Sequence, residues 1–266
     1  MSTGVGIVIP AYQPDPERIR RYIEQLSTEL QPARLHVELD MPSRAVLAAI
    51  DGTEATVRVA NKRRGKGAAI TAGFEYLDTP IRCFVDADGS TPPAALASII
   101  DAVAHSEANL AVGSRRHPDA TVTVHQTRIR RRLGDLFVRL AQRMLLVELY
   151  DYQCGAKAID AETWEEIRTT LTIPGFAWDI ELIGMAAAAG AHIVEAPIEW
   201  EDQSGSTVPV VGTASEFARA LVRTRRRARY QGGSRWHAWL DRLLPQPQPL
   251  LARAELRSHD VETEKR

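Results

Sequence analysis

The chain has 266 residues, of which 44% are hydrophobic and 25% are charged, and its formal net charge is −1 at pH 7. These values are ordinary for a soluble globular protein and allow one large domain or two small ones. The two cysteines, Cys83 and Cys154, exclude a disulfide framework and a zinc-ligand spacing, which indicates a reducing compartment. We expect no transmembrane helix, because the longest uncharged apolar run, 182–194, is too short to cross a bilayer. We also expect no signal peptide before the first predicted strand.

The first half of the chain alternates strand and helix patterns. Short apolar runs bounded by turn residues predict strands at 5–9, 35–39, 57–60, 81–85 and 110–112. Between them, apolar residues at helical spacing predict helices from residue 16 and over 43–50, 65–77 and 93–104. This rhythm is typical of an α/β fold with a mainly parallel sheet and helices on both faces.

The second half departs from this rhythm. Helical spacing predicts a long amphipathic helix over 130–149 and further helices over 161–168, 178–189 and 212–230. Residues 193–200 predict a strand at a sheet edge, because Pro197 cannot donate a backbone hydrogen bond to a neighbouring strand.

Two aspartates, Asp86 and Asp88, follow the predicted strand at 81–85. Side chains two residues apart on a strand point to the same face, so we expect both carboxylates on one side. Two carboxylates at the carboxyl end of a strand suit a hard divalent cation that also binds the phosphate oxygens of a nucleotide diphosphate. The alternative is that both aspartates only end the strand, while Ser90 or Thr91 caps a helix begun by Pro92.

The segment Arg63-Arg64-Gly65-Lys66-Gly67 leads into the third predicted helix. Glycines let backbone N–H groups approach an anion, and the helix N-terminus and Lys66 add positive charge, which favours contact with a diphosphate. A solvated basic turn is the alternative. The segment is not a P-loop, because no Ser or Thr follows Lys66, and no G-x-G-x-x-G fingerprint follows the first strand.

Six motifs occur in a fixed order: Ile9-Pro10-Ala11-Tyr12, residues 61–67, the aspartate pair, Gly113-Ser114-Arg115, Gln153-Cys154-Gly155-Ala156-Lys157 and Trp178-Asp179-Ile180-Glu181. Over residues 5–210 this ordered set resembles glycosyltransferase family 2, and within it the dolichyl-phosphate glucosyltransferase and dolichyl-phosphate mannose synthase branch. The resemblance implies the GT-A fold of nucleotide-diphospho-sugar transferases, a Rossmann-like, mostly parallel sheet flanked by helices. The sequences of the motifs that begin at Asp86, Gln153 and Trp178 resemble the glucosyl branch more than the mannosyl branch.

The resemblance assigns a set of donor-binding residues. Pro10, Ala11 and Tyr12 would form the wall under the nucleotide base, and Asp40 matches the family aspartate that holds the base or ribose. Here Asp40-Met41-Pro42-Ser43 replaces the family's Asp-Asp-Gly-Ser run, and Asp51 competes for the same role. The remaining donor-side residues are Lys66, Asp86, Ala87 and Asp88, with Asp86 and Asp88 as ligands of Mg²⁺ or Mn²⁺.

The resemblance also assigns an acceptor side. Arg115 and Arg131 would clamp the phosphate of a polyprenyl-phosphate acceptor, since arginine forks suit phosphate oxygens. The alternative for the cluster of Arg128 and 130–132 is a solvated helix start. Gln153 and Lys157, in a glycine-containing loop together with Asp151, would belong to the same side.

Two acidic residues open the predicted helix at 178–189. Asp179 or Glu181 resembles the catalytic base of family members that glycosylate hydroxyl groups, and with Asp88, Arg115 and Arg131 they complete the candidate catalytic residues. The alternative is that both acids only complement the positive N-terminal end of the helix.

These assignments predict a domain organisation. We expect a GT-A domain at 1–210, with a nucleotide-sugar half at 1–118 and an acceptor half at 119–210, followed by a basic helix and a poorly ordered tail at 211–266.

Residues 219–229 contain six arginines and no acid, and Trp236 and Trp239 follow downstream. This pattern is typical of segments that lie on an anionic membrane surface. A solvated helix face is the alternative. Because the nucleotide motifs all precede residue 210, we expect truncation after Gly212 to leave nucleotide binding largely intact.

The predicted activity is inverting transfer of a hexose, with glucose from UDP-glucose favoured, to a polyprenyl phosphate at the cytoplasmic face of a membrane. GDP-mannose or UDP-GlcNAc as donor and a saccharide hydroxyl as acceptor stay open, as does a homo-oligomer. A nucleotidyltransferase is disfavoured because its Gly-rich, Thr-Arg loop is absent after the first strand, and an intact aspartate pair argues against a non-catalytic binding module. Nucleic-acid binding would also use a basic patch such as residues 219–229, but nothing else in the chain resembles a nucleic-acid module.

Overall fold

The computed structural model describes residues 4–122, 128–145, 147–200, 210–231, 247–253 and 259–260. Its strands are β1 (Val5–Tyr12), β2 (Arg34–Asp40), β3 (Thr56–Ala60), β4 (Ile81–Val85), β5 (Leu110–Ser114), β6 (Thr121–Val122), β7 (Ala156–Asp160), β8 (Ile193–Pro197), β9 (Glu199–Trp200) and β10 (His259–Asp260). Its α-helices are α1 (Pro16–Leu30), α2 (Arg44–Ile50), α3 (Lys66–Tyr76), α4 (Pro93–Ala104), α5 (Arg128–Leu145), α6 (Ala161–Ile167), α7 (Trp178–Ala188) and α8 (Val210–Gln231). Short 3-10 helices cover Arg168–Thr170 and Leu250–Ala252.

Eight of the described strands form one sheet in the order β10-β3-β2-β1-β4-β7-β5-β8. β7 runs antiparallel to both of its neighbours and β10 runs antiparallel to β3, whereas the other neighbouring strands are parallel. β6 and β9 pair in a separate two-stranded sheet. The predicted α/β class with a mostly parallel sheet is confirmed, and β8 lies at the sheet edge as predicted.

Local sequence explains how the first elements begin and end. Asp15 caps α1 by accepting a hydrogen bond from Arg18 N at 2.8 Å, and Ser43 caps α2 in the same way. β1 continues beyond its predicted end at Ile9, through Pro10 to Tyr12. Its register with β4 stops at Val8, so the proline lies where β1 has β2 as its paired neighbour, and a missing N–H is tolerated there.

The antiparallel strand β7 corrects one prediction. Lys157, expected in a loop, lies within β7, between β4 and β5 in the sheet. The strand carries a short apolar pattern interrupted by this lysine, whose side chain is only 1% exposed. A buried lysine needs an ionic partner, and the partner is Asp179 of α7, which local sequence does not place beside it.

Two hydrophobic clusters pack on the two faces of the sheet. One contains α1, α2 and α4, with Leu26, Val46 and Leu96 wholly or almost wholly buried. The other contains α3 and α5–α8, with Phe74 and Trp178 buried at its centre. The sheet is therefore covered on both faces, and its strand ends are the places where polar side chains reach the surface.

The last helix and part of the tail pack against the rest of the protein. Leu221 of α8 is fully buried, and a Cβ atom on Gly184 of α7 would lie 2.3 Å from Thr224 of α8, which indicates close helix packing. Leu250 is buried and its N donates to Leu171 O at 2.8 Å. The predicted division at residue 210 stays a prediction. In the described ranges, each helix is too short or too polar to cross a bilayer.

Candidate active site

The candidate site lies where β4 ends at Val85 and Asp86 begins a turn. Asp86 N donates to Gly155 O at 2.8 Å. A Cβ atom on Gly155 would lie 1.9 Å from Asp86 Oδ2, so glycine is needed to leave room for this carboxylate. The glycine of the Gln153-Cys154-Gly155 motif therefore positions the first aspartate against the start of β7.

Four charged side chains, which we call the charge chain, alternate in sign beside this turn: Asp86, Lys66, Asp179 and Lys157. Lys66 Nζ, at the start of α3, lies 2.8 Å from Asp86 Oδ1 and 3.5 Å from Asp179 Oδ2. Lys157 Nζ lies 2.5 Å from Asp179 Oδ1 and donates to Cys154 O at 2.7 Å. The buried Lys157 and Asp179 and the 10% exposed Lys66 therefore lead to Asp86, whose side chain is 36% exposed.

The charge chain shifts the proton affinities of two of its members. Burial alone would lower the pKa of Lys66, but the carboxylates of Asp179 and Asp86 outweigh burial and raise it, so Lys66 is a cation at neutral pH. Burial raises the pKa of Asp86, with a smaller raising effect from the charge of Asp88 and an opposing effect from Lys66. A cation near Asp86 therefore stabilises its ionised form.

Asp88 lies in the turn after β4 rather than on the strand, so the turn and not strand alternation orients the pair. Its Oδ1 accepts hydrogen bonds from Ser90 N at 3.0 Å and Ser90 Oγ at 2.6 Å. Within the described residues, no group of three or more His, Cys, Asp or Glu side chains could hold a metal ion. The donor set fits Mg²⁺ or Mn²⁺, since such ions commonly take two carboxylates and fill the other positions with water and substrate phosphates.

Residues 63–67, which we call the basic loop, comprise the end of the β3–α3 connection and the first two residues of α3. They are held by Asp40 at the end of β2. Asp40 Oδ2 accepts hydrogen bonds from Arg64 N at 2.6 Å and Gly65 N at 3.1 Å, and Oδ1 accepts from Arg64 Nε at 2.7 Å. Both oxygens of this buried carboxylate thus hold the loop that presents Lys66. The role of Asp40 at the base or ribose stays a prediction, and so does that of Asp51, which is exposed at the end of α2.

The predicted wall under the base has one exposed aromatic ring. Pro10 and Ala11 are buried within β1, while Tyr12 at its carboxyl end is 41% exposed. The guanidinium of Arg63 lies 4.3 Å from the centre of the Tyr12 ring, a cation–π contact. A flat surface therefore borders the basic loop at the carboxyl end of β1.

Arg115 follows β5 and is held by a carboxylate. Its Nε donates to Asp151 Oδ2 at 2.7 Å and its Nη2 donates to Asp151 Oδ1 at 3.2 Å, a two-pronged pair. Burial would lower the pKa of Arg115, but Asp151 raises it. Gln153 N also donates to Asp151. Arg131 lies in α5, and its side chain is outside the described part of the protein.

The two acids of α7 lie in different surroundings, because residues two apart on a helix face different directions. Asp179 joins the charge chain, as described above. Glu181 is fully buried and accepts hydrogen bonds from Thr172 N at 2.7 Å, Ile173 N at 2.8 Å and Arg227 Nη1 at 2.5 Å. The structure thus brings Asp179, but not Glu181, to the candidate site.

One network at the site was missed by sequence reasoning. Glu38 and Asp40 alternate along one face of β2, and Arg64 pairs with both, with Nη2 lying 2.7 Å from Glu38 Oε2. The available signal is two acids two residues apart on a strand whose other face carries Leu35, Val37 and Leu39, since buried acids on such a strand need a buried cation.

One family model and several known proteins are similar to this chain. The family model described as Glycosyl transferase family 2 matches residues 6–168. A dolichyl-phosphate beta-glucosyltransferase from Saccharomyces cerevisiae is 28% identical over 61% of this chain and 52% of its own length. A polyprenol monophosphomannose synthase from Mycolicibacterium smegmatis is 31% identical over 59% of this chain and 60% of its own length. Glycosyltransferase AglD from Haloferax volcanii is 29% identical over 61% of this chain and 26% of its own length, so this chain spans only part of each relative.

Solved structures give a likeness of fold. Glucosyl-3-phosphoglycerate synthase from Mycobacterium tuberculosis, crystallised with Mn²⁺, UDP-glucose and phosphoglyceric acid, has a TM-score of 0.62 at 16% identity. The likeness covers 83% of this chain and 79% of that chain. The same enzyme with Mg²⁺ and UDP has a TM-score of 0.61. The predicted GT-A fold class is confirmed.

Proposed function

Since this chain belongs to glycosyltransferase family 2, we propose that it transfers a hexose from a nucleotide diphosphate sugar, with UDP-glucose favoured, to a polyprenyl phosphate. The observation that carries the proposal is the charge chain, which leads to Asp86 beside Asp88 at the carboxyl end of β4. Ligands of open α/β sheets bind at this edge. The relatives named as dolichyl-phosphate beta-glucosyltransferases support glucose as the sugar and a polyprenyl phosphate as the acceptor.

The proposed binding of the nucleotide sugar depends on charges placed around its diphosphate. Asp86 and Asp88 would hold a Mg²⁺ or Mn²⁺ ion, which supplies positive charge against the leaving diphosphate. Lys66, at the N-terminus of α3, adds a second cation, and the helix end adds backbone N–H groups. The exposed ring of Tyr12 would lie under the base.

The acceptor half rests on the ionisation of a phosphate monoester. Its second pKa is about 6, so an acceptor phosphate is already largely ionised at neutral pH and needs positioning more than it needs a base. Arg115, held by Asp151, would position it together with Arg131. The contacts of the two acids of α7 are consistent with an acceptor that needs no general base. The oxygens of Asp179 form ion pairs with Lys66 and Lys157, and those of Glu181 accept hydrogen bonds.

A hydroxyl acceptor is the second candidate function. Asp179 favours it, because this carboxylate lies within the charge chain and 3.5 Å from Lys66, close to where a sugar donor would bind. A hydroxyl nucleophile requires a general base, and Asp179 is the acid that the structure offers for that role.

Membrane contact is proposed for an exposed face of α5 and an exposed face of α8. On α5, Leu136 and Leu140 are 63% and 45% exposed and alternate with exposed Arg139 and Arg143 along one face. Val222 of α8 is 61% exposed between arginines of the same helix. Exposed leucines interleaved with arginines suit an anionic lipid surface, where a polyprenyl phosphate is embedded. Trp236 and Trp239 lie outside the described residues.

A transfer assay tests the proposed function. Purified protein is incubated with radiolabelled UDP-glucose, GDP-mannose or UDP-GlcNAc and with polyprenyl phosphate in anionic liposomes, and the organic phase is counted. We expect label from UDP-glucose to enter the organic phase with polyprenyl phosphate and not with polyprenol, which lacks the phosphate. Transfer to a soluble saccharide, with none to polyprenyl phosphate, would support the hydroxyl acceptor instead.

A further inference from the structure

The basic loop is in contact with a second segment, residues 170–174, which precedes α7. Pro174 O accepts a hydrogen bond from Ala68 N at 3.1 Å, at the start of α3. A Cβ atom on Gly65 would lie 2.6 Å from the same oxygen, and Gly65 has φ of +97°. Glycine at this position therefore lets the 170–174 segment pack directly against the loop that presents Lys66.

The 170–174 segment forms hydrogen bonds with side chains of α7 and α8, and its Leu171 and Ile173 are buried in the hydrophobic cluster of α3 and α5–α8. Glu181 of α7 accepts hydrogen bonds from the N–H groups of Thr172 and Ile173. Arg227 of α8 donates to Glu181 Oε1 at 2.5 Å, to Thr172 Oγ1 at 3.1 Å and also to Thr170 O. Arg227 thus ties α8 to both this segment and α7.

The tail after α8 adds a second hold on the same segment. Arg253 Nη2 donates to Thr172 O at 2.7 Å, and Leu250 N donates to Leu171 O at 2.8 Å. Leu250 is almost completely buried in the hydrophobic cluster of α3 and α5–α8. Residues 250–253 therefore lie against the 170–174 segment.

We propose that Arg227 and Arg253 are positioning residues for the basic loop, acting through the 170–174 segment. The inference rests on the proposed donor site, because the basic loop carries the Lys66 that would contact the diphosphate. Neither arginine belongs to the charge chain, and each acts through another residue. Nucleotide binding then depends on the C-terminal part of the chain, which reverses the expectation that truncation after Gly212 leaves it intact.

Nucleotide titration of matched variants tests the proposal. Binding of UDP with Mn²⁺ is measured by calorimetry on Arg227→Met, Arg227→Lys, Arg253→Met and, as a control, Arg223→Met, which changes an exposed arginine of the same helix. We expect Arg227→Met to weaken UDP binding about tenfold, because a charge-assisted hydrogen bond is lost from the support of the loop. Arg227→Lys restores part of the loss, Arg253→Met gives a smaller loss, and Arg223→Met gives none.

Hydrogen exchange gives a readout that needs no ligand. We expect faster amide exchange at Ala68 and neighbouring residues of α3 in Arg227→Met and Arg253→Met than in the Arg223→Met control. UDP affinity within twofold of wild type together with unchanged exchange at Ala68 in the folded variants would overturn the proposal. If Arg227→Met does not fold, Arg227→Lys and Arg253→Met decide. Failure of the wild-type protein to bind UDP or another nucleotide would count against the proposed function, while the exchange measurement still decides the linkage.

Discussion

Asp179 and Glu181 lie two residues apart on α7, and their surroundings are opposite. Asp179 belongs to the charge chain, which leads to the partly exposed Asp86. Glu181 lies in a closed cluster in which backbone N–H groups, a hydroxyl and Arg227 occupy its oxygens. Both acids are buried, so burial alone does not separate them. A buried charge is therefore a candidate for ligand binding when the network of contacts to which it belongs reaches the surface.

The closed cluster predicts the largest change in stability. Glu181→Ala leaves Arg227 without its carboxylate and removes the acceptor for two backbone N–H groups. Loss of one partner from a buried ion pair costs about 3–5 kcal/mol, so the free energy of unfolding should fall by about that amount. Urea unfolding followed by circular dichroism measures it. As a control, Glu24→Ala removes the exposed Arg20–Glu24 pair of α1 and should leave the unfolding midpoint unchanged. Equal effects of the two variants would contradict the comparison.

The open end of the charge chain predicts the largest change in activity. Asp86→Asn or Asp88→Asn removes a charge that would hold the divalent ion, and several kcal/mol of transition-state stabilisation correspond to a rate loss of at least ~100-fold. EDTA should reduce the wild-type rate to a similar level. The melting temperature should stay close to that of wild type, and Asp101→Asn on the exposed side of α4 should keep full activity. Full activity of the wild type in EDTA would contradict the metal role.

A conservative change at Arg115 tests the proposed binding of the acceptor phosphate. Arg115→Lys keeps the charge but loses the guanidinium fork, so the KM for polyprenyl phosphate should rise about tenfold. The KM for the nucleotide sugar should change little and serves as the internal control. Initial-rate measurements with each substrate varied in turn separate the two constants. Equal increases in both would assign Arg115 to the structural pair with Asp151 alone.

Sequence patterns predict most of the elements but few of the long-range partners. The caps at Asp15 and Ser43 act within three residues, so α1 and α2 begin where the sequence predicts. The sequence pattern does not predict β7, because a lysine such as Lys157 is more typical of a loop than of a buried strand. Its ionic partner, Asp179, lies 22 residues away in the sequence. The contact between Arg227 and Glu181 joins residues 46 apart. Local chemistry fixes caps and strands, whereas the pairing of distant charges depends on how the helices pack.

The smallest expected effect belongs to Asp179→Asn, and it decides between the two acceptor classes. An asparagine keeps one oxygen that can accept a hydrogen bond from Lys66 or Lys157, but it removes the carboxylate that pairs with the buried Lys157. The circular dichroism spectrum and melting temperature of the variant are therefore compared with those of wild type before kcat is interpreted. With polyprenyl phosphate as acceptor no general base is required, and kcat should fall less than about tenfold. With a hydroxyl acceptor, loss of the base should lower kcat by ~10²–10⁴-fold. Glu181→Gln is the matched control, because it makes the same chemical change in the closed cluster. A loss of the larger size in Asp179→Asn, but not in Glu181→Gln, would therefore replace the phosphate acceptor with a hydroxyl and make Asp179 the base.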